Sequence, residues 1–167
     1  KYVYFPGTEY ESVLRDSKYD GYGKITLKRA FEVSSNVISR VIHDSYSANP
    51  QEFIDGLKRM GLQDRLGVEI SGERSPLIKN ANQKDFSGIT LPWMAIGYEL
   101  EQTPLQTLTF YNAVANNGVM VKPQFVREIR EGDRLIRRID KHVLNKQICK
   151  PATLASVQSM LKGVVQN

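Results

Sequence analysis

Residues 25–37 read ITLKRAFEVSSNV, an apolar helical pattern that breaks at a polar triplet and then resumes. Thr26 precedes the first apolar residue and is typical of a helix N-cap, which predicts a helix over residues 27–33. A second helical pattern follows the triplet, with one apolar face formed by Val37, Val41 and Ile42. Judged on these residues alone, the triplet Ser34-Ser35-Asn36 is most simply an ordinary cap between two helices.

Two further helices are predicted from capping signals in their first turns. Asn49-Pro50-Gln51-Glu52 supplies a cap, a proline at the first helical position and an acid three residues after the cap, and Gly61 is the predicted end. Thr103-Pro104-Leu105-Gln106 repeats the pattern, and Asn117-Gly118 ends that helix. Its apolar positions are Leu105, Leu108, Tyr111, Val114 and Ala115. A last helix is predicted from about Pro151, with a buried side formed by Leu154, Val157, Leu161, Val164 and Val165.

The remaining segments predict loops and strands. Residues 62–102 contain six glycines and prolines and few regular signals, so we expect an ordered loop with short pieces of structure. After Gly118 the pattern changes to the period of two that is typical of strands, and Glu131-Gly132-Asp133 predicts the turn of a β-hairpin. With a strand-like N-terminal segment added, the expected fold class is α+β, mostly helical, with one β-hairpin.

The composition excludes several classes of site. The chain has 167 residues, of which 41% are hydrophobic, enough for one domain with a core of its own. A single cysteine, Cys149, excludes an internal disulfide, and His43 and His142 lie far apart without a second ligand at helical spacing. We therefore expect no zinc or haem. Because the chain opens with Lys1 rather than methionine, we expect an internal piece of a longer protein.

The formal net charge of +5 is concentrated in residues 121–150, which contain nine basic and four acidic residues. Such a cluster can bind a nucleic acid or another anionic partner. More often it is the solvated face of a hairpin, and that interpretation is preferred. The alternative stays open: a non-catalytic binding module that uses the basic hairpin of residues 121–141 to contact an anionic partner.

Patterns for serine catalysis are weak when each is taken alone. Ser159-Met160-Leu161-Lys162 is the one Ser-x-x-Lys match, but the composition predicts roughly one such match by chance. Pro6-Gly7-Thr8 resembles the start of the same motif, but Glu11 stands where an activating lysine is needed. His43-Asp44-Ser45 contains the three triad residue types, yet neighbours on a helix point in different directions. None of the three is predicted to be a site.

Two blocks of sequence, taken together, resemble a known family. The first is the stretch 25–37, and the second comprises PWMAIGYEL at 92–100, TPLQ at 103–106, YNAVANNG at 111–118 and VKP at 121–123. Gly72-Glu73, before a proline, also fits the family's pattern between the blocks. In order and spacing these segments are similar to the class B penicillin-binding proteins of the division (FtsI-like) type, which are peptidoglycan D,D-transpeptidases. The first block resembles their second active-site motif, Ser-x-Asn.

The resemblance implies a single partial transpeptidase domain over residues 1–167, a helical-subdomain fragment of the penicillin-binding-protein/β-lactamase-like fold. Within it we expect a strand and loop at 1–24, the helical subdomain at 25–118 with its long loop at 62–102, the hairpin at 119–141 and the C-terminal helix at 151–166. The family's nucleophile segment lies several dozen residues before the Ser-x-Asn motif, where this chain has no Ser-x-x-Lys, and the family's Lys-Thr-Gly strand has no match in the chain. We therefore expect the chain to be inactive alone.

The resemblance also implies roles for individual residues in a serine-type acyltransferase. The hydroxyl of Ser34 would pass a proton between the general-base lysine and the leaving amine. The carboxamide of Asn36 would donate to the carbonyl of the acyl-donor peptide and hold that lysine in place. Ser35 is the spacer and is expected to point away. Tyr98 matches an aromatic residue of the substrate cleft in some relatives, but Glu99 stands where those relatives have glycine, so packing is the preferred role of Tyr98.

The partners implied by the resemblance are peptidoglycan stem peptides, β-lactams, and proteins of cell-wall synthesis and division. No cofactor, metal or nucleic acid is expected. The implied location is the extracytoplasmic, periplasmic face of the bacterial inner membrane, through an anchor outside this chain. A third hypothesis keeps the fold but makes the parent protein degenerate and regulatory, and an intact Ser-x-x-Lys segment in that parent would exclude it.

Overall fold

The computed structural model describes residues 1–166, and helices provide most of its regular structure. The helices are α1 (Leu27–Glu32), α2 (Ser39–Tyr46), α3 (Pro50–Arg59), α4 (Thr90–Met94), α5 (Pro104–Ala115) and α6 (Pro151–Gln166), with a 3₁₀ turn at Asn36–Ile38 between α1 and α2. The predicted cap of α1 is confirmed, because the Thr26 hydroxyl accepts the Arg29 N–H at 3.1 Å. The predicted helix starts at Pro50, Pro104 and Pro151 are confirmed as well.

Within residues 1–166, eight short strands form two-stranded sheets. The strands are β1 (Tyr2–Tyr4), β2 (Ser12–Leu14), β3 (Leu77–Ile78), β4 (Leu100–Glu101), β5 (Met120–Val121), β6 (Glu128–Glu131), β7 (Arg134–Arg138) and β8 (Val143–Asn145). β1 pairs with β2 and β3 with β4. β6 and β7 form the predicted hairpin around Gly132, which has the positive φ of 57° that its turn requires. β5 pairs with β8 on either side of this hairpin, a pairing that the sequence patterns did not predict.

The chain divides into two compact units. The first contains residues 1–56, residues 78–101 and the segment from Ala155 onward, and its buried apolar side chains are Tyr4, Leu14, Ile54, Ile78, Leu91 and Met94. The second contains residues 57–77 and 102–154, and its buried apolar side chains are Leu66, Ala113, Val114, Met120, Ile148 and Leu154. The domain boundaries expected from the family resemblance stay a prediction.

Tyr4 anchors β1 in the core of the first unit. Its ring centroid lies 4.7 Å from that of Tyr2 and 5.2 Å from that of His43, both in edge-to-face geometry. The Tyr4 hydroxyl forms a 2.9 Å hydrogen bond with the fully buried Oγ of Ser39, and burial raises the pKa of Tyr4. His43 therefore belongs to an aromatic cluster, and its Nδ1 lies 3.5 Å from Oδ1 of Asp44.

Glu73 organises a loop of the second unit. Its carboxylate is almost fully buried and accepts hydrogen bonds from the backbone N–H groups of Leu66 (2.5 Å), Gly67 (2.9 Å) and Val68 (3.3 Å). Arg65 donates to the Glu73 carbonyl at 2.6 Å. The Gly72-Glu73 pair that the sequence matched to the family therefore has a structural explanation in this loop.

The apolar pattern predicts the buried face of α5 only in part: Val114 is buried, but Leu108 and Tyr111 are exposed. The buried residues of this helix are Gln106, Thr109, Ala113 and Val114, whereas Leu108 is 63% and Tyr111 53% exposed. The two buried polar side chains are satisfied locally, because Gln106 completes a capping box with Thr103 and the Thr109 hydroxyl donates to the Leu105 carbonyl at 2.7 Å. Local hydrogen bonds thus allow α5 to bury polar residues that the hydrophobic pattern places outside.

The predicted buried side of α6 is wrong in its last turn. Leu154 is buried, but Val164 and Val165 are exposed. The buried face passes through Gly163 instead, where a Cβ atom would collide with the carboxylate of Glu32. Glycine has no side chain to contribute to a hydrophobic pattern, so the pattern predicted the neighbouring Val164 and Val165 as the buried residues.

Candidate active site

Ser34 follows α1 in a left-handed backbone conformation, with a φ of 52°. Its N–H donates to the carbonyl of Phe31 at 3.1 Å, and the N–H of Ser35 donates to the carbonyl of Ala30 at 2.8 Å. These two bonds form a Schellman motif, and Ser34 occupies the left-handed position that glycine holds in most such motifs.

A serine is strained at this position, because the left-handed conformation costs an L-residue about 1–2 kcal/mol. The side chain does not repay that cost by packing: Ser34 is exposed, and its hydroxyl has no hydrogen-bond partner in the described part of the chain. Residues held in strained conformations without a structural contribution of their side chain are typical of functional sites. Ser34 is therefore a candidate on geometry as well as on sequence.

The two residues after Ser34 are tied to the segment that follows β2. Ser35 is only 5% exposed, and its hydroxyl donates to Oδ1 of Asp16 at 2.8 Å. Asn36 opens the 3₁₀ turn and is half-buried, and its Nδ2 donates to the carbonyl of Arg15 at 2.9 Å. The triplet thus alternates between an exposed hydroxyl, a buried spacer and a partly exposed amide.

A cavity of about 560 Å³ lies beside α1 and the 3₁₀ turn. Ser35 and Asp16 contribute to its wall, together with the apolar side chains of Leu27, Ile38 and Val41. Ser34 and Asn36 are not among its lining residues. The cavity therefore lies next to the motif but does not include its two candidate polar groups.

Tyr98 lies in a different part of the first unit. Its ring packs edge-to-face on Trp93 with the centroids 5.5 Å apart, and its N–H donates to the Trp93 carbonyl at 3.0 Å. The residue is nevertheless 64% exposed. Within residues 1–166, no hydrogen bond or ring contact joins Tyr98 to Ser34 or Asn36, so the structure does not bring the three candidate residues into one cluster.

Glu99, at a position where the family resemblance leads us to expect glycine, is also left-handed, with a φ of 61°. Its carboxylate pairs with the ammonium of Lys79, which also contacts Asp85 at 3.0 Å. Hydrogen bonds to Glu99 and then to Asp85 raise the pKa of Lys79, and the hydrogen bond from Lys79 lowers the pKa of Asp85. The ion pair gives this left-handed residue a structural partner that Ser34 lacks.

The rejected catalytic patterns have structural explanations. Ser159 accepts a hydrogen bond from Lys28 at 3.3 Å, and the Thr8 hydroxyl donates to the Phe5 carbonyl within a turn. The contacts of Arg15 and Asp16 with the triplet were missed by sequence reasoning. These residues lie about twenty positions before the triplet, and no motif or period connects them to it.

A family model for the penicillin-binding protein transpeptidase domain matches residues 2–167. The chain belongs to the penicillin-binding protein transpeptidase family. Penicillin-binding protein PbpB of Mycobacterium tuberculosis is 31% identical over 153 residues, which are 92% of this chain and 22% of that protein. The protein of the same name from Mycolicibacterium smegmatis is 29% identical, with 92% of this chain and 23% of that protein covered. The chain thus spans less than a quarter of the length of these relatives.

Solved structures of penicillin-binding proteins share the fold of this transpeptidase-family chain. Penicillin-binding protein 3 of Mycobacterium tuberculosis, complexed with aztreonam, matches with a TM-score of 0.67 and 31% identity over 85% of this chain and 31% of that one. The D,D-transpeptidase domain of a peptidoglycan glycosyltransferase from Eggerthella lenta matches with a TM-score of 0.76 over 88% of this chain and 38% of that one. At 22% identity the second match shows the fold alone. The predicted family and fold class are confirmed.

Proposed function

We propose that this chain is the Ser-x-Asn part of a peptidoglycan D,D-transpeptidase that cross-links stem peptides by serine acyl transfer. The observation that carries the proposal is the exposed hydroxyl of Ser34, held in a strained turn in a chain of the penicillin-binding protein transpeptidase family. Stem peptides that end in D-alanyl-D-alanine are the proposed substrates, and β-lactams are the proposed inhibitors. Proteins of cell-wall synthesis and division are proposed partners.

The proposed reaction begins when the serine of a Ser-x-x-Lys segment attacks the carbonyl of the D-alanyl-D-alanine bond. The lysine takes the proton of the nucleophile, and the hydroxyl of Ser34 passes it to the nitrogen of the leaving D-alanine. The products of this half are an acyl-enzyme and free D-alanine. The amine of a neighbouring stem peptide then attacks the acyl-enzyme, and its proton returns through Ser34 to the serine oxygen as the cross-link forms.

Asn36 has the free hydrogen-bonding groups that this role needs. An amide group has two N–H donors and one carbonyl acceptor, and the bond to Arg15 uses one donor. The second N–H can donate to the carbonyl of the acyl-donor peptide, and Oδ1 can accept from the lysine ammonium. Tyr98 stays a candidate for substrate contact, because its ring packs on Trp93 on one side while most of the residue is exposed.

Labelling with a fluorescent penicillin tests the proposal. We expect no covalent labelling of the purified chain, because the chain does not contain the Ser-x-x-Lys segment that supplies the nucleophile in this family. A full-length protein that contains this chain should be labelled, and Ser34→Ala in that protein should lower the acylation rate by about 100-fold or more. Ser47→Ala, at an exposed helix end, is the matched control. Stoichiometric labelling of the chain alone, or unlabelled full-length protein, would contradict the proposal.

The proposed location is the extracytoplasmic face of the bacterial inner membrane, where peptidoglycan is made. None of the helices within residues 1–166 has both the length and the apolar character that crossing a bilayer requires.

A further inference from the structure

The segment that leaves β2 contacts the candidate motif at two consecutive points. The Arg15 carbonyl accepts the amide of Asn36 at 2.9 Å, and the Asp16 carboxylate accepts the hydroxyl of Ser35 at 2.8 Å. Two neighbouring residues thus bind the two residues that follow Ser34. Only one of these contacts depends on a side chain of the segment, and that side chain is Asp16.

The strained turn at Ser34 needs support from outside α1. A left-handed serine persists only when its surroundings determine the backbone on both sides. The Schellman bonds determine it on the helical side, toward Phe31 and Ala30. On the other side Ser35 is the residue that is locked, because its side chain is 5% exposed and its hydroxyl binds a carboxylate. Hydrogen bonds to charged acceptors are roughly twice as strong as neutral ones.

We propose that Asp16 is a positioning residue for the Ser-x-Asn motif: by binding the Ser35 hydroxyl it fixes the turn that presents the Ser34 hydroxyl and the Asn36 amide. The inference rests on the proposed function for its catalytic consequence. Its structural part, the support of the Ser34 turn by Asp16, can be tested in this chain without any activity.

The first test measures the backbone of Ser34 by NMR in the purified chain. The Cα and Hα chemical shifts and the H–N–Cα–Hα coupling of Ser34 report its left-handed conformation. We expect Asp16→Ala to move these signals toward averaged values and Asp16→Asn, which retains an acceptor oxygen, to leave them close to wild type. Asp20→Ala removes a nearby exposed carboxylate that has no such contact, and it should leave the Ser34 signals unchanged.

A second variant keeps this test decisive if Asp16→Ala does not fold. Ser35→Ala removes the donor of the same hydrogen bond without leaving an unpaired buried hydroxyl. It should displace the Ser34 signals in the same direction as Asp16→Ala. The proposal is overturned if Ser34 keeps its left-handed signature in a folded Asp16→Ala or Ser35→Ala variant.

The second test measures acylation by a fluorescent penicillin in a full-length protein that contains this chain. Asp16→Ala should lower the acylation rate constant by about 10- to 100-fold, the loss expected when a reacting group is displaced by an ångström or less. Asp16→Asn should recover most of that rate, and Asp16→Ala combined with Ser35→Ala should fall no further than either alone. A purely structural role would lower the amount of folded protein but leave its rate constant unchanged.

The outcomes separate this proposal from the proposed function. If wild-type full-length protein is not acylated, the proposed function fails, and the NMR result still decides whether Asp16 supports the turn. If wild-type protein is acylated and folded Asp16→Ala reacts at the same rate, the positioning role fails while the transpeptidase proposal stands.

Discussion

Ser34 and Glu99 both have a left-handed backbone, but only the side chain of Glu99 forms an ion pair with another residue. Glu99 has a φ of 61° and an ion pair with Lys79, so its side chain contributes to the turn that it occupies. Ser34 has a φ of 52° and an exposed side chain without a hydrogen bond to any described residue. Stability alone would favour glycine at position 34, so the exposed hydroxyl is consistent with the role proposed for Ser34.

This contrast predicts that Ser34→Gly stabilises the chain. Glycine adopts the left-handed conformation without steric cost, and the gain should be about 0.5–1 kcal/mol after the greater entropy of unfolded glycine is included. The measurement is the free energy of unfolding from urea titration. Ser47→Gly is the control, because Ser47 has a φ of −60° at the end of α2, where glycine gains nothing. A Ser34→Gly variant that is less stable than wild type would contradict the strain argument.

Among the elements, α5 shows most clearly that hydrogen bonding can decide which face of a helix is buried. Gln106 is 5% exposed; its Oε1 accepts the Thr103 N–H at 2.7 Å and its Nε2 donates to the Arg74 carbonyl at 3.4 Å. Leu108, two residues later, is 63% exposed. A glutamine therefore anchors the first turn, whereas the neighbouring leucine contributes little to the core.

We predict effects of different size for two substitutions that exchange glutamine and leucine in opposite directions. Gln106→Leu should destabilise the second unit by about 1–3 kcal/mol, because the Thr103 N–H and the Arg74 carbonyl lose their partner. Leu108→Gln should change stability by less than about 0.5 kcal/mol, as expected of an exposed position. Urea titration of both variants measures the difference. A larger loss for Leu108→Gln than for Gln106→Leu would mean that the apolar face of α5 is the buried one.

The cluster of Lys79, Asp85 and Glu99 links the end of β3 to the start of β4, and it predicts a pH dependence. The pKa of Asp85 is lowered from its ordinary value of 3.8, so its contribution to stability is present above that value and is lost as pH falls through the lowered pKa. The pKa of Lys79 is raised from 10.5, so its contribution is complete below that value and is lost as pH rises through the raised pKa.

Urea titrations below about pH 5 test the acidic limb of this dependence. Asp85→Asn should make the loss of stability on acidification shallower than in wild type. The same substitution in a Lys79→Met background should have a smaller effect on the slope, because the largest cause of the lowered pKa of Asp85 is already absent. An equal effect of Asp85→Asn in both backgrounds would assign the pKa shift to another group.

The ends of helices were predictable from sequence, whereas buried faces and tertiary supports were not. The caps at Thr26 and Thr103 act on N–H groups three residues away, so a short string contains all the information. The exposure of Leu108 depends on what packs against the other side of α5. The bond between Ser35 and Asp16 joins positions nineteen residues apart, and no local pattern contains it. The candidate motif was visible in the sequence, but its support was not.

At the scale of the whole molecule, the net charge of +5 is located in a segment whose structure keeps the charges mixed. In the β6–β7 ribbon, Glu128 lies opposite Arg138, Ile129 opposite Arg137, and Glu131 opposite Arg134. Directly opposite residues share a face of a two-stranded sheet, so each face of the ribbon carries a glutamate as well as arginines. Arg130 is further neutralised by Glu128, at 2.6 Å. The ribbon is exposed and basic, but neither face has a single sign of charge.

This arrangement predicts that the chain does not bind nucleic acid at physiological ionic strength. Phosphate binding requires several cations that neutralise neighbouring phosphates together, and the interspersed acids oppose this on both faces. An electrophoretic shift assay with a short DNA duplex and micromolar chain should show no retarded band. The control replaces Glu128 and Glu131 with glutamine; by removing the opposing acids it should create retardation at low salt that decreases steeply as salt rises. Retardation of the duplex by the wild-type chain, with a steep salt dependence, would instead favour a binding module that uses the basic hairpin.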